Sequence, residues 1–224
     1  MRYLVQGDKG LVVEFSDAIS PEVFAKVQRL QRFLEQKVHP GISELMPTYR
    51  SLLIVYNPLL VTPLALRTIV EEIDNDAEAT LTQGKVVNIP VCYGGELGPD
   101  LDELCSMVNL SVEEVIAEHT SRDYLVYMLG FTPGFPYLGG LSQRIACPRL
   151  SSPRTLVPAG SVGIAEQQTG VYPLDSPGGW RLIGRTPQKI FDYTREQPFL
   201  AQAGDYLHFY PITIEEYSSY DSAH

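Results

Sequence analysis

The sequence lacks the long apolar runs and the basic runs that are typical of membrane and nucleic-acid-binding proteins. No apolar stretch approaches the roughly 18 residues that a spanning helix needs, and the start, MRYLVQGDKG, is too short and polar for a signal peptide. Lysine and arginine form no run, and the formal net charge is −10, so phosphate backbones are not expected as partners. We therefore predict a cytoplasmic protein that binds neither membranes nor nucleic acid.

Cysteines and recognised catalytic motifs are also scarce. The three cysteines, Cys92, Cys105 and Cys147, form no CxxC pair, which argues against a disulfide framework and a zinc site. There is no HxH and no HExxH, and residues 130–187 carry no acidic cluster, so we predict no metal site. A P-loop is absent, and Ser161 in AGSVG lacks the strand-to-helix context of a serine nucleophile. The catalytic residues therefore stay unassigned.

Residues 1–80 predict a small α+β domain with the element order β-β-α-β-β-α. Its β-rich runs cover residues 2–6, 10–15, 42–46 and 51–56. Helices begin at Ser20-Pro21 and Thr62-Pro63, because serine and threonine are good N-caps and proline suits the first helical turn. Such a chain lays both helices on one face of a four-stranded antiparallel sheet. The polar, acidic residues 74–85 are predicted to be a linker.

Residues 86–224 predict a second, mainly β domain. Strand-like runs cover residues 86–93, 124–129, 189–192 and 206–210. Two short helices lie between the first two runs and begin with the N-caps Asp100 and Ser111. No helix is expected beyond residue 121. Many short strands separated by glycine and proline indicate a closed or nearly closed β-barrel.

The segment from Gly130 to Pro187 has an unusual composition. It holds 10 glycines and 8 prolines among 58 residues, and five arginines against one glutamate and one aspartate, with no lysine. Glycine lets a backbone approach a ligand closely, and the arginine fork suits carboxylate and phosphate. The segment therefore predicts a binding site for a small anionic ligand. The alternative is that its arginines cap turn carbonyls.

Several residues of this segment are candidates for substrate binding. The predicted ligand-binding side chains are Arg154, Arg181, Arg185, Gln168, Thr169 and Tyr172. The predicted supporting loops contribute Gly134, Phe135, Pro136, Tyr137, Pro158, Gly160, Ser161, Gly178, Gly179 and Trp180. Arg181 and Arg185 are four apart in a strand-like run and are expected to share a face with Ile183.

The sequence also gives predictions for three aromatic residues and one histidine. Phe131 is expected in the core, whereas Phe135 and Tyr137, tied to neighbouring prolines, are the aromatic residues expected at the surface. His119 lies near the end of a predicted helix, where it is either a cation favoured by the helix C-terminus or a weak functional candidate.

Three long motifs now identify a resemblance. LGFTPGFPYLGGL at 129–141, PRTLVPAGSVGIA at 153–165 and QTGVYPLDSPGGWRLIGRTP at 168–187 resemble the signature of the B-subunit family of 5-oxoprolinases, which includes a sporulation-kinase inhibitor and is also described as allophanate hydrolase subunit 1. One departure is Glu166, which stands where this family pattern is expected to carry glycine.

The resemblance implies a cyclophilin-like barrel for the second domain, without prolyl isomerase activity. It also implies a protein that is inactive alone, pairs with a homologous C subunit, and works with an A subunit to open 5-oxoproline to glutamate at the expense of ATP. Mg²⁺ is expected as the ATP counter-ion, with no tightly bound cofactor. Two alternatives stay open: an inhibitor that binds a sensor histidine kinase, and a subunit of a urea- or allophanate-type amide hydrolase or carboxyltransferase.

Overall fold

The chain divides into two units, Met1–Thr82 and Gln83–His224, in a computed structural model that describes residues 1–72 and 84–220. Of the predicted linker at 74–85, only residues 84 and 85 are described, and the remainder lies outside the described residues. The predicted domain limits, 1–80 and 86–224, stay predictions.

The first unit has the predicted element order. It contains β1 (Arg2–Gln6), β2 (Gly10–Glu14), α1 (Pro21–Lys37), β3 (Ile42–Pro47), β4 (Ser51–Tyr56) and α2 (Pro63–Glu71). All pairings in its sheet are antiparallel, and the strand order is β1-β2-β4-β3. The alternation of buried and half-buried residues along β4 gives the sheet one core-facing side.

Local capping explains where the two helices of this unit begin. The Ser20 side chain accepts a hydrogen bond from the Val23 N–H at the start of α1, and Thr62 accepts from the Ala65 N–H at the start of α2. Helix α1 ends at Lys37, and Val38 follows in the left-handed region with φ 44°. The left-handed conformation of Val38 therefore ends the helix.

The second unit is built around a closed barrel. Its elements are β5 (Val86–Tyr93), α3 (Leu101–Val108), α4 (Val112–Thr120), β6 (Asp123–Leu129), β7 (Pro136–Gly139), β8 (Arg154–Val157), β9 (Ser161–Ala165), β10 (Gln168–Val171), β11 (Ser176–Gly178), β12 (Arg181–Arg185), β13 (Tyr206–Pro211) and α5 (Ile214–Ser218). The barrel order is β10-β7-β6-β13-β5-β12-β9, and β8 and β11 form a separate two-stranded ribbon.

The second unit contains two apolar clusters. The interior is filled by aliphatic side chains that include Ile89, Val126 and Ile164, all without solvent exposure. A second cluster, which includes Phe135, Tyr172 and Trp180, packs separately from the first. The predicted α+β domain followed by a mainly β barrel is confirmed.

Two element predictions in this unit are wrong. Helix α5 lies well beyond residue 121, and it forms because Thr213 and Glu216 make a reciprocal capping box. Residues 189–192 are not a strand, because only an isolated bridge between Phe191 and Phe199 pairs this part of the chain.

Candidate functional site

A pocket of about 330 Å³ opens beside the second apolar cluster. We call it the aromatic pocket, and its walls are Phe131, Phe135, Tyr137, Arg149, Pro153, Tyr172, Pro177, Gly178, Gly179 and Trp180. Phe135 is its central ring and makes edge contacts at centroid distances of 5.2–5.7 Å with the four other aromatic rings. This packing fixes the walls, because edge-to-face contacts are favourable and directional.

The aromatic pocket is assembled from segments that are distant in sequence. Tyr172 directly follows β10, and Trp180 directly precedes β12, so both rings are held by barrel strands. Gly178 belongs to the β8–β11 ribbon, and a Cβ atom at this position would lie 2.4 Å from the Tyr172 hydroxyl oxygen. A glycine is therefore required where the ribbon approaches Tyr172.

The burial of Phe131 and Phe135 is the reverse of what the sequence predicted. Phe131 is 62% exposed, whereas Phe135 is 2% exposed. The physical reason is the backbone of Phe131, whose φ of 64° lies in the left-handed region. Tyr137 is half-buried beside Phe135 and lines the aromatic pocket.

The charge in the aromatic pocket comes from Arg149. Its side chain is exposed, and among the described residues no hydrogen bond or ion pair joins it to a protein group. Burial raises the pKa of Tyr172, an effect that the Trp180 backbone hydrogen bond and the nearby Arg149 and Arg154 partly oppose. The pocket therefore has a neutral phenol in its wall and a positive charge at its rim. In the sequence alone, Arg149 is only one of the five arginines that give the segment from Gly130 to Pro187 its positive charge.

Arg154 is held by a protein carboxylate. Its Nη2 atom donates to Oδ1 of Asp100 at 2.6 Å, and Oδ2 of Asp100 accepts from the Leu182 N–H at 2.6 Å. Asp100 precedes α3 as predicted, but its side chain makes no capping hydrogen bond to that helix. The side chain instead links the β8 strand to β12, which the sequence could not indicate.

Arg181 is also bound within the protein. It is 7% exposed, its Nε atom donates to the Pro148 carbonyl at 3.1 Å, and its Nη1 atom lies 2.8 Å from a Glu103 carboxylate oxygen. Burial of a guanidinium is costly unless it is paired in this way.

Arg181 and Arg185 do not share a face, contrary to the prediction. Arg181 pairs with Ile164 of β9 and Arg185 with Ser161, which are three residues apart and so point to opposite sides. The register shifts between Leu182 and Gly184, and this bulge cancels the expected alternation.

Thr169 and His119 lie inside the barrel, apart from the aromatic pocket. The Thr169 hydroxyl donates to the Gly163 carbonyl at 3.1 Å and therefore accepts from Nε2 of His119 at 2.9 Å. The other ring nitrogen, Nδ1, accepts from the Tyr93 hydroxyl at 2.8 Å. Burial lowers the pKa of His119 to about 3, so the ring is neutral and is not a cation at the helix end.

The remaining predicted residues are divided between the aromatic pocket and its surroundings. Gln168 begins β10 opposite Ala165. Gly134, with φ 82°, packs against Phe191, and Pro136 begins β7. Pro158, Gly160 and Ser161 form the β8–β9 turn, where the Gly160 N–H donates to the Tyr172 carbonyl at 2.7 Å. Phe135, Tyr137, Tyr172 and Gly178 to Trp180 line the pocket, and Gln168, Gly134, Pro136, Pro158, Gly160 and Ser161 do not.

Comparison with known proteins connects this geometry to a family. Residues 1–201 match the family described as carboxyltransferase domain, subdomain C and D. The B subunit of 5-oxoprolinase from Bacillus subtilis (strain 168) is 43% identical over 233 residues, which cover 98% of this chain and 97% of that protein. Its counterpart in Escherichia coli O157:H7 is 40% identical over 213 residues, which cover 93% and 94% respectively.

Solved structures share the fold. The crystal structure of TTHA0988 is 37% identical with a TM-score of 0.81, and the match covers 91% of this chain but only 40% of that longer one. The K. lactis urea amidolyase has a TM-score of 0.78 at 23% identity, with 96% of this chain and 15% of that chain covered. At that identity the likeness shows the fold alone.

Proposed function

The chain belongs to the carboxyltransferase family of subdomains C and D, and on this premise we propose that it is the B subunit of an ATP-dependent 5-oxoprolinase. In the proposed reaction one water adds across the lactam amide, so the carbonyl carbon gains a hydroxyl, the nitrogen gains a proton and the ring opens to glutamate. A second water hydrolyses ATP to ADP and phosphate. The complex acts in the cytoplasm.

The observation that carries this proposal is the likeness to named B subunits over nearly the full length of both chains. It reaches 43% identity for the Bacillus subtilis protein and 40% for the Escherichia coli protein. The aromatic pocket adds support, because it is a small concave site with one cationic group, as a small carboxylate substrate requires.

Other proteins of the complex are part of the proposal, because the relatives are named as one subunit of an enzyme. Among the described residues, no three His, Cys, Asp or Glu side chains come together as a metal site. In the same part of the chain, no helix is long and apolar enough to cross a membrane. The chain contains no P-loop, and the aromatic pocket offers one cation for a triphosphate that needs several. We therefore assign ATP and its Mg²⁺ to the partner A and C subunits.

Reconstitution tests the proposal. The chain is mixed with the A and C subunits, ATP, Mg²⁺ and 5-oxoproline, and glutamate is measured over time. We expect glutamate only in the complete mixture and none from this chain alone. Glutamate formation at the same rate when this chain is omitted would overturn the assignment.

A histidine kinase inhibitor is a second candidate, and one observation favours it. The ring of Phe131 is 62% exposed at the edge of the aromatic pocket, where a partner protein would cover it. This candidate predicts reduced autophosphorylation when a sensor kinase is saturated with the chain. Unchanged autophosphorylation would remove it.

A further inference from the structure

We propose that the aromatic pocket binds the ring of the lactam substrate and that Arg149, at its rim, binds the substrate carboxylate. This assignment rests on the proposed function and names the binding residue within it. Of the three arginines that the sequence singled out, Arg154 and Arg181 then hold the fold around the pocket, and Arg185 does not line it.

The volume and the apolar surface of the aromatic pocket favour a ligand with a single small ring. The volume of about 330 Å³ lies at the lower end of the range found for ligand pockets, roughly 300–1,000 Å³. The aromatic rings of Phe135, Tyr172 and Trp180 offer apolar contact to the ring methylenes of 5-oxoproline. The glycines at 178 and 179 keep the adjoining wall free of side chains.

Arg149 lines the aromatic pocket, whereas Arg185, whose buried Nε atom has no hydrogen-bond partner, does not. Arg154 is joined to Asp100, and Arg181 to Glu103 and the Pro148 carbonyl. Arg149 has no such partner among the described residues, and its side chain is exposed. A carboxylate ligand would give its guanidinium the charge-assisted hydrogen bonds that the protein does not supply.

The neutral wall of the pocket suits the lactam amide. The Tyr172 hydroxyl takes a hydrogen bond from the Trp180 backbone, and burial keeps the phenol protonated by raising its pKa. Tyr172 is only 2% exposed, so it contributes a neutral part of the wall that does not repel the substrate carboxylate. The pocket therefore pairs a neutral wall with a separate cation at its rim.

The chain carries its own reporter for this site, because Trp180 is its single tryptophan. The full-length protein is titrated with 5-oxoproline and with 2-pyrrolidinone, which has the same ring without the carboxylate, while tryptophan fluorescence is recorded. We expect a saturable change with 5-oxoproline. Arg149→Ala should weaken that binding by roughly tenfold or more and leave the response to 2-pyrrolidinone unchanged.

Arg144→Ala is the matched control, because Arg144 is an exposed arginine of the same segment that pairs with Glu118 instead of lining the pocket. KM for 5-oxoproline is measured with the same variants in the complex with the A and C subunits. A rise in KM, or a loss of affinity, confined to Arg149→Ala supports the proposal. The proposal is overturned if neither measurement separates Arg149→Ala from Arg144→Ala.

The two proposals fail in different ways. A wild-type complex that produces glutamate with an unaltered KM in Arg149→Ala keeps the 5-oxoprolinase function and removes the role of Arg149. A complex without turnover, in which the isolated chain still binds 5-oxoproline through Arg149, removes the enzymatic role and keeps the carboxylate site. The melting temperature of Arg149→Ala should equal that of the wild type, and that of Arg144→Ala should fall by no more than the loss of one exposed ion pair allows.

Discussion

Glu166 occupies a backbone position that favours glycine. It is the first of two residues between β9 and β10, and its φ is 53° whereas Gln167 has no positive φ. A two-residue hairpin turn of this kind prefers glycine at its first position. We expect Glu166→Gly to raise the free energy of unfolding by about 0.5–1 kcal/mol, because the left-handed conformation then carries no Cβ penalty. Urea denaturation of both proteins measures the change.

Gln167→Gly is the control for this substitution. Gln167 needs no left-handed conformation, so glycine there adds only chain entropy to the unfolded state and should lower stability. Equal effects of the two substitutions would contradict the explanation from backbone conformation. The family likeness had placed a glycine at 166, and the structure supplies the physical reason.

His119 makes stability depend on pH. Its folded pKa of about 3 lies below the unfolded value near 6.5, so as pH falls the unfolded chain takes up a proton that the folded protein does not. The contribution of His119 is complete above about pH 6.5 and is lost as pH falls toward 3. Between pH 7 and pH 5 we expect its loss to cost about 2 kcal/mol.

The His119→Gln variant isolates this contribution from that of the carboxylates. Its absolute stability should be lower because the ring stacked on Phe209 is lost, but its stability should fall less steeply between pH 7 and pH 5. Urea denaturation at several pH values gives both slopes. Identical slopes for the variant and the wild type would show that His119 titrates in the folded barrel as it does in the unfolded chain.

One carboxylate, that of Asp100 at the start of α3, connects the strands β8 and β12. Asp100 is 5% exposed and binds both the Arg154 side chain and the Leu182 N–H. Asp100→Ala removes both hydrogen bonds and leaves a partly buried guanidinium unpaired. We expect a loss of about 3 kcal/mol in the free energy of unfolding, measured by urea denaturation.

Glu118→Ala is the comparison for this effect, because Glu118 pairs with the exposed side chains of Arg122 and Arg144 and has one further hydrogen bond, to Ser142. Such pairs contribute about 0–1 kcal/mol each. A loss from Asp100→Ala no larger than that from Glu118→Ala would mean that Asp100 does not connect these elements.

Elements fixed by local signals were predictable, and those fixed by pairing were not. The starts of α1 and α2 followed from Ser20 and Thr62, whose caps involve only residues close in sequence. The bulge that separates the faces of Arg181 and Arg185 arises from the pairing of β12 with β9. The position of the bulge depends on the neighbouring strand β9. The alternation of residues along β12 alone therefore predicted, wrongly, that both arginines share a face.

At the scale of the whole molecule, the fold class followed from the order and length of the elements, but the aromatic pocket did not. The motifs that carry the family resemblance contain Phe135, Tyr172 and Trp180, and the closed barrel brings these residues together. Arg149 lies between two of the motifs and is defined as a site residue only by its position beside the rings. The sequence alone does not show which residues lie close together in the folded barrel, so it could not identify the aromatic pocket.

The substrate preference of the reconstituted complex tests the proposed 5-oxoprolinase function. The chain with the A and C subunits is supplied with ATP and with either 5-oxoproline or urea, and phosphate release and product formation are measured for both. We predict that phosphate and glutamate appear together with 5-oxoproline, and that urea stimulates no phosphate release. Turnover of urea with no glutamate from 5-oxoproline would contradict the account.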